Sequence, residues 1–267
     1  MLGDFSDWPL GLPALRTAAP LAGGYICGTT RGRLTDGRDV VVKRCPYRVD
    51  VEAEGLQTLA HAGVPVPELL GVGRRVLVMR FVSGAPDWAG LGRAVAGMHR
   101  VIGPRFGWHR DNRAGRLIQH NGWCDDWPSF YAQRRIRPHL SDPAVPEALR
   151  RRLERACDGP LLALLRRHPP ASLTHGDLWA GNVIDGRWLV DPAVSFVDRE
   201  LEIAYMQMSR SLPAEFFEAY CEQWPFDDSY VERRPALRLS KLLVNVRHFG
   251  PERYVPRIET VLNGYGW

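Results

Sequence analysis

The chain has 267 residues, of which 45% are apolar and 24% charged, and a formal net charge of +5. These values are ordinary for a globular protein and allow one large domain or two modest lobes. No apolar run approaches the roughly 18 residues of a membrane helix, and no block of like charge suggests a nucleic-acid or membrane surface. We therefore expect no nucleic-acid partner and no membrane partner. We expect the protein to be a monomer or a weak dimer. The N-terminus lacks the order of a signal peptide, which predicts a cytoplasmic location.

Lysine is rare in this chain. It occurs only at positions 43 and 241, and arginine supplies all the other members of the 35 basic residues. A lysine that escapes so strong a bias is expected where a compact point charge is needed, because a planar guanidinium cannot replace it there.

The five cysteines are odd in number and widely spread, at positions 27, 45, 124, 157 and 221. No pair has the C-x-x-C spacing of a metal or redox site, and no disulfide framework is indicated. The sequence predicts reduced thiols in a reducing compartment, and no redox role is assigned to Cys27.

The first stretch of the chain, residues 1–20, is rich in Pro and Leu and is expected to be an irregular lead-in. The next stretch, residues 21–34, carries several glycines, among them Gly23 and Gly24. A glycine-rich turn between two strands lets backbone N–H groups approach phosphate, although an ordinary hairpin explains this composition equally well.

A turn at residues 36–37 should lead into a buried strand, which is rich in β-branched residues and ends at Lys43. A helix is predicted over about residues 49–62, and it carries Glu52 and Glu54. Two short strands follow the prolines at 65 and 67, the second of them over residues 75–82.

The segment 106–140 combines amides, a carboxylate and indoles, which suits a sugar because polar edges bind hydroxyls and flat rings cover CH faces. Its aromatic side chains can equally be core, the interpretation we favour for Phe130. A binding or loop-ordering role is expected for four polar residues: Asp111, Asn112, Gln119 and Asn121. His99, in a helical segment before them, is expected to be structural. Two helical segments follow over residues 146–168.

Residues 173–194 carry the strongest signal. Asp177 and Asn182 are five apart, the spacing at which phosphoryl-transfer loops place a proton-accepting carboxylate and a magnesium-binding amide. A predicted hairpin over residues 183–190, turning at Asp185-Gly186, brings Asp191 back beside Asn182. Asn182 and Asp191 would supply the oxygen ligands that Mg²⁺ prefers, together with ATP phosphates.

The stretch His-Gly-Asp-Leu-Trp-Ala-Gly-Asn at 175–182, with Asp-Pro-Ala at 191–193 and Asp-Arg-Glu at 198–200, resembles the fructosamine kinase (ketosamine-3-kinase) family. That family belongs to the aminoglycoside-phosphotransferase branch of the protein-kinase-like fold. The segment 106–140 resembles the family as well, with departures at Ala114, Ile118 and Ile136, and Ala180 stands where the family usually has Ser.

The resemblance implies an α+β, two-lobed protein-kinase-like fold. A small antiparallel β-sheet lobe with one helix would bind nucleotide (residues 1–82), and a larger, mainly helical lobe would bind substrate and carry the catalytic residues (residues 83–267). It also implies that Lys43 binds ATP phosphates and that Glu52, with Glu54 as the alternative, orients this lysine. The backbone of Arg80, Phe81 and Val82 would face adenine, Gly23 and Gly24 would approach phosphate, and Trp179 would line the sugar site.

The implied reaction is ATP- and Mg²⁺-dependent phosphorylation of a ketosamine hydroxyl, at O3 by family analogy, in the repair of glycated amines. Asp177 would accept or orient the hydroxyl proton. The alternatives are a kinase of another small molecule, such as an aminoglycoside or an amino alcohol, and a nucleotide-binding pseudokinase with a scaffolding role. A protein kinase is disfavoured because Asp-Phe-Gly and Ala-Pro-Glu signatures are missing from the sequence.

Overall fold

The first part of the chain is an antiparallel sheet. The computed structural model describes residues 7–21, 26–208 and 212–267. The strands are β1 (Leu15–Pro20), β2 (Gly28–Leu34), β3 (Asp39–Arg44), β4 (Leu69–Val72) and β5 (Val76–Arg80). They lie side by side in the order β1-β2-β3-β5-β4, and each neighbouring pair is antiparallel.

Strand β3 is the centre of this sheet and shows why the sequence folds in this way. Val40 and Val42 are buried on one face, where they pack with side chains of β2 and β5. The helix predicted over about residues 49–62 is α1 (Asp50–His61). Its Ala53, and Val49 just before it, pack with Leu77 on the other face of the sheet. The predicted turn at residues 36–37 is a three-residue loop over residues 35–37, where the Gly37 N–H donates to the Leu34 carbonyl oxygen and the Leu34 N–H donates to the Arg38 carbonyl oxygen. This loop sets the register between β2 and β3.

Two expectations for this part were wrong. The predicted irregular lead-in contains strand β1, which buries only its first residue, Leu15, and is held mainly by its backbone ladder with β2. The predicted reduced state of all five thiols is corrected by a disulfide between Cys27 and Cys45. The register explains that disulfide: Gly28 pairs with Arg44, so the next position outward on each strand faces the other.

The rest of the chain is mainly helical. Its helices are α2 (Trp88–His99), α3 (Trp127–Phe130), α4 (Glu147–Asp158), α5 (Pro160–Leu164), α6 (Arg199–Met206), α7 (Ala214–Gln223), α8 (Tyr230–Leu237), α9 (Leu239–Phe249) and α10 (Val255–Tyr265). A π-helix, Tyr131–Ile136, continues α3. The core of this part contains Trp127, Phe130 and Tyr131, so the structural interpretation of Phe130 is confirmed. Among the described residues, no helix has the length and apolar character needed to span a bilayer.

Three small antiparallel pairs interrupt the helices and shape the site. They are formed by β6 (Asn112–Ala114) with β7 (Leu117–Gln119), β8 (Ser172–Thr174) with β11 (Ser195–Val197), and β9 (Val183–Ile184) with β10 (Trp188–Leu189). The last pair is the predicted hairpin. Asp185 and Gly186 have positive φ values of 51° and 62°, and the Arg187 N–H donates to the Ile184 carbonyl oxygen at 3.0 Å, as a two-residue hairpin turn requires.

The fold is therefore α+β, with one helix on an N-terminal antiparallel sheet and a larger helical part after it. The segment 81–87 connects β5 to α2. The boundary between residues 82 and 83 stays a prediction.

Candidate active site

A buried carboxylate on α6 holds the backbone of the loop after β8. Glu202 accepts hydrogen bonds from the backbone N–H groups of His175, at 3.1 Å, and Gly176, at 2.6 Å. Its other neighbour is His99, whose Nε2 lies 3.0 Å away and whose Nδ1 is 2.8 Å from the Tyr220 hydroxyl. His99 thus has the structural surroundings that we expected, and the loop cannot shift without breaking this buried network.

His175 and Gly176 also hold the loop against residues 190–193. His175 Nε2 lies 2.9 Å from the Val190 carbonyl oxygen, and the Ala193 N–H donates to the His175 carbonyl oxygen at 2.8 Å. Gly176 has φ +83°, and a Cβ there would come within 2.0 Å of the Ala193 carbonyl oxygen. A side chain at position 176 would therefore separate the loop from the segment that carries Asp191.

Asp177 is held in this loop by three side chains. Lys241 Nζ donates to its Oδ1 at 2.9 Å and to the Gly176 carbonyl oxygen at 2.9 Å. Asn182 Nδ2 donates to the Asp177 carbonyl oxygen at 2.8 Å. The third side chain is Tyr205, whose pKa is raised by burial first and then by the charge of Asp177 and a hydrogen bond with it. Burial acts to raise the pKa of Asp177, but the ammonium of Lys241 outweighs it and holds this pKa below its usual value. Asp177 is therefore ionised and able to accept a proton or orient a hydroxyl.

A second lysine links the sheet to the loop after the hairpin. Lys43 Nζ donates to both Glu52 oxygens, at 2.7 and 2.8 Å, and to Asp191 Oδ1 at 2.8 Å. Burial acts to lower the pKa of Lys43, but attraction to the two carboxylates raises it above its usual value. Glu54 points elsewhere, towards Arg110 and the Trp108 indole. Of the two glutamates on α1, Glu52 is thus the one that contacts the lysine.

The hairpin and a glycine in α1 bring Asp191 to this position. The Val190 N–H donates to the Asn182 carbonyl oxygen at 3.1 Å, so Asp191 follows directly beside Asn182. Asp191 has φ +59°, a conformation that non-glycine residues rarely adopt and that recurs at functional sites. In α1, a Cβ at Gly55 would come within 2.9 Å of Pro192 Cγ, so only glycine allows this close approach.

The donor set fits a hard cation. Asn182 directs its Nδ2 to the Asp177 carbonyl oxygen, which leaves its Oδ1 for a ligand, and the Asp191 side chain is 46% exposed. Among the described residues, no cluster of three or more His, Cys, Asp or Glu side chains could hold a metal on its own. An amide oxygen and a carboxylate are what a magnesium ion uses when phosphate oxygens and water complete its coordination.

The polar residues predicted near the substrate mostly bind each other and the backbone. Asn112 Nδ2 donates to the Val194 carbonyl oxygen at 2.7 Å, and Gln119 Nε2 donates to Asn112 Oδ1 and to the Ala193 carbonyl oxygen. Asp111 accepts from the Asn121 N–H at 2.8 Å, and Asn121 Oδ1 accepts from Arg135. These contacts match the loop-ordering alternative. Contact of these residues with substrate stays a prediction.

The remaining predicted residues are Trp179, on the loop after β8, and Arg80–Val82, at the end of the sheet. Trp179, partly exposed, folds its ring over Gly181, where an added Cβ would meet the ring at 2.3 Å. Arg80 ends β5, and Phe81 and Val82 begin the connection to α2, where the Phe81 ring lies under Arg31 at 3.8 Å. Gly23 and Gly24 lie outside the described residues.

Sequence reasoning missed three residues of this site, namely Lys241, Tyr205 and Glu202. The rarity of lysine pointed to position 241 as clearly as to position 43, but no local motif accompanied it. Tyr205 and Glu202 lie on α6, where the only signal was their closeness to the Asp-Arg-Glu motif. Their contacts with the loop depend on how α6 and α9 pack, which local spacing does not show.

The sheet with its lysine–glutamate pair, and the loop that presents Asp177, Asn182 and Asp191, define a kinase-like phosphotransferase. The fold is shared with a macrolide 2'-phosphotransferase from Brachybacterium faecium, with a TM-score of 0.57 at 17% identity over 94% of this chain and 92% of that chain. The chain belongs to the fructosamine kinase family, whose model matches residues 18–265.

Individual relatives agree with this assignment. A protein named as a ketoamine kinase in Thermus thermophilus is 33% identical, covering 90% of this chain and 91% of its own length. A ketoamine kinase relative from Enterococcus faecium is 30% identical, covering 92% and 94%. The crystal structure of a protein named as a fructosamine-3-kinase in Thermobifida fusca has a TM-score of 0.86 at 30% identity, covering 96% of this chain and 95% of that one. The chain is thus a phosphotransferase enzyme of this family.

Proposed function

We propose that the protein transfers the γ-phosphoryl group of ATP to O3 of a ketosamine and so begins the repair of glycated amines. The observation that carries the proposal is one continuous set of contacts, from Glu52 through Lys43 to Asp191 and, across the hairpin, to Asn182 and Asp177. Phosphoryl transfer needs a cation on the phosphates, metal ligands and a carboxylate near the attacking hydroxyl, and this set supplies all three.

Each residue has one task in this proposal. Lys43, oriented by Glu52, binds the phosphates, and the backbone at Gly23, Gly24 and Arg80–Val82 holds the rest of the nucleotide. Asn182 and Asp191 hold magnesium, which when bound neutralises charge on the phosphate oxygens. Asp177, fixed by Lys241, accepts or orients the proton of the attacking hydroxyl, and Trp179 covers one face of the sugar. Because the transition state of such transfers is loose, positioning and charge neutralisation account for most of the rate.

Four polar residues act in this proposal where the sugar substrate binds, either by contacting it directly or by ordering the nearby residues 193–194. They are Asp111, Asn112, Gln119 and Asn121. A phosphate on the carbon next to the ketosamine carbonyl is a good leaving group. Loss of a proton from the carbon that carries the nitrogen would expel inorganic phosphate, and water would then hydrolyse the resulting imine and release the amine. A cytoplasmic location and a monomer or weak dimer stay predictions.

The position of the new phosphate tests this proposal. The product formed from fructoselysine and Mg²⁺-ATP is examined by ³¹P–¹H correlation NMR. The proposal predicts coupling of the phosphorus to the proton on C3. Coupling to the protons on C6 would contradict it, as would a wild-type protein that binds Mg²⁺-ATP but phosphorylates no ketosamine.

A further inference from the structure

Two small cavities lie near helix α9 and the loop after β8 that carries Asp177, which we call the catalytic loop. Both cavities are lined by Gln119, Arg135, Ser240 and Lys241. Their volumes are about 30 and 20 Å³. Each therefore has room for an ordered water or a small planar group, and neither has room for a sugar. Lys241 lines both cavities and also contacts Asp177, to which its ammonium donates at 2.9 Å.

The second cavity is electropositive. The titratable side chains that line it are Arg134, Arg135, His139 and Lys241, and none of its lining residues is a carboxylate. The first cavity is lined by one carboxylate, Glu202, which the backbone of the catalytic loop and His99 already engage.

Arg135 is the unusual member of this set. It is 6% exposed, and its guanidinium donates to the His120 carbonyl oxygen, to Asn121 Oδ1 at 2.7 Å and to Ser195 Oγ at 3.2 Å. All of these acceptors are neutral, and within the described part of the chain its side chain forms no ion pair. Burial accordingly lowers the pKa of Arg135 to about 9. The guanidinium carbon also lies 4.7 Å from the centre of the Phe130 ring. A buried charge is normally paired with an opposite charge, which these neutral groups do not provide and an anion in the cavity would supply.

The backbone here is also irregular. Arg134 and Arg135 lie in the π-helix Tyr131–Ile136, and such segments occur frequently at functional sites. The wider turn places Arg135 in the core and leaves Arg134 exposed at the rim of the second cavity.

We propose that these two cavities, which we call the acceptor-anion site, bind a carboxylate on the amine portion of the substrate, so that the preferred acceptors are ketosamines of small α-amino acids. This inference rests on the proposed function. In such a molecule only a few bonds separate the sugar carbon that carries O3 from the α-carboxylate. A hydroxyl at Asp177 would therefore bring the carboxylate towards Lys241, which contacts Asp177 and lines the second cavity together with Arg134. A ketosamine on a protein lysine side chain carries no carboxylate at that distance.

The test compares fructosylglycine with fructosylglycinamide, which differ in the charge of one planar group. A charge-assisted hydrogen bond lost at a desolvated site lowers kcat/KM by about ten- to a hundred-fold. We expect wild-type protein to prefer the acid by that factor. Arg134→Gln should reduce the ratio of kcat/KM for the acid to that for the amide at least about threefold, mainly by raising KM for the acid.

Arg151→Gln is the matched control, because it removes the same charge from an exposed helix pair with Glu147 on α4. It should keep the wild-type preference. Arg135 ties together three segments, so the test does not depend on replacing it. Equal kcat/KM for acid and amide in an active wild-type protein would overturn this inference alone, as would a preference that Arg134→Gln leaves intact. Turnover of neither compound would contradict the proposed function and this inference with it.

Discussion

Lys43 and Asp191 are 148 positions apart in the chain, yet Lys43 Nζ lies 2.8 Å from Asp191 Oδ1. The contact joins the sheet to the loop that follows the hairpin, and Glu52 completes it from α1. Asp191 is the only one of the three that is substantially exposed, at 46% of its side chain. It is therefore the partner that can turn to a magnesium ion while Glu52 keeps the lysine in place.

Helix α1 offers a matched pair of variants for this arrangement. Glu52→Gln should lower kcat/KM for ATP at least about tenfold, because the buried lysine loses its charged partner, and each tenfold corresponds to about 1.4 kcal/mol. Glu54→Gln should leave kcat/KM for ATP within about twofold, because Glu54 contacts Trp108 and Arg110 instead. Steady-state kinetics with varied ATP would measure both. Equal effects of the two changes would contradict the role given to Glu52.

Alanine substitutions at two glycines distinguish the free-energy cost of a left-handed backbone from the cost of a steric clash. Gly37 has φ +90° with nothing within 4 Å of an added Cβ, whereas Gly176 has φ +83° and a carbonyl oxygen at 2.0 Å. Gly37→Ala should lower the free energy of unfolding by about 1 kcal/mol, the cost of a left-handed conformation. Gly176→Ala should cost about 1–3 kcal/mol more, because residues 191–193 must move. Denaturant unfolding measures the difference, and equal losses would mean that the loop yields freely.

Residues close in sequence made much of the site predictable. The five-residue spacing of Asp177 and Asn182, the Asp-Gly turn and an apolar second strand together place Asp191, because a tight hairpin has few geometries. The pairing of strand β3 with helix α1 likewise limits which carboxylate reaches Lys43. Lys241, Tyr205 and Glu202 could not be placed, because their contacts depend on the packing of α6 and α9 against a loop at least 25 residues away in sequence.

The same contrast explains the errors in the sheet. Strand β1 has no alternation of apolar and polar residues, since backbone hydrogen bonds hold it and little of it is buried. The Cys27–Cys45 disulfide depends on the register of β2 and β3. A two-residue turn at 36–37 would set residue 27 opposite residue 46, whereas the observed three-residue loop at 35–37 shifts the pairing by one and sets Cys27 opposite Cys45.

Reduction of this disulfide should weaken the sheet. A crosslink with a sequence separation of 18 is expected to contribute about 3 kcal/mol to the free energy of unfolding. Wild-type protein should therefore unfold at lower denaturant concentration after reduction. The double variant Cys27→Ser, Cys45→Ser should already show that lower midpoint and should not respond to reductant. If reductant leaves the unfolding midpoint of the wild-type protein unchanged, the disulfide is contradicted and both cysteines are free thiols.

His139 should impose a pH dependence on stability. Burial, followed by the charge of Arg247, lowers the pKa of His139 to about 3 from an ordinary value of 6.5. The unfolded chain thus binds one proton more than the folded protein between these values. The resulting stability is fully present above pH 6.5 and is lost towards pH 3, with a slope of about 1.4 kcal/mol per pH unit.

The variant His139→Gln removes that proton and keeps a polar side chain. Between pH 6.5 and pH 4 its free energy of unfolding should fall less steeply than that of wild type, by about 1.4 kcal/mol per pH unit. Urea unfolding at several pH values gives the two slopes. Parallel slopes would show that His139 titrates alike in the folded and unfolded states.

The most direct test of the account is Mg²⁺-dependent ADP release in the presence of fructoselysine, with a ribulosamine beside it and Asp177→Asn as the control. We predict release that requires a ketosamine and that the Asp177→Asn change lowers by about a hundredfold or more, while binding of Mg²⁺-ATP persists. Firm nucleotide binding without turnover of either ketosamine would contradict the proposed reaction. Failure of the wild-type protein to bind Mg²⁺-ATP would contradict the role given to Lys43, Asn182 and Asp191.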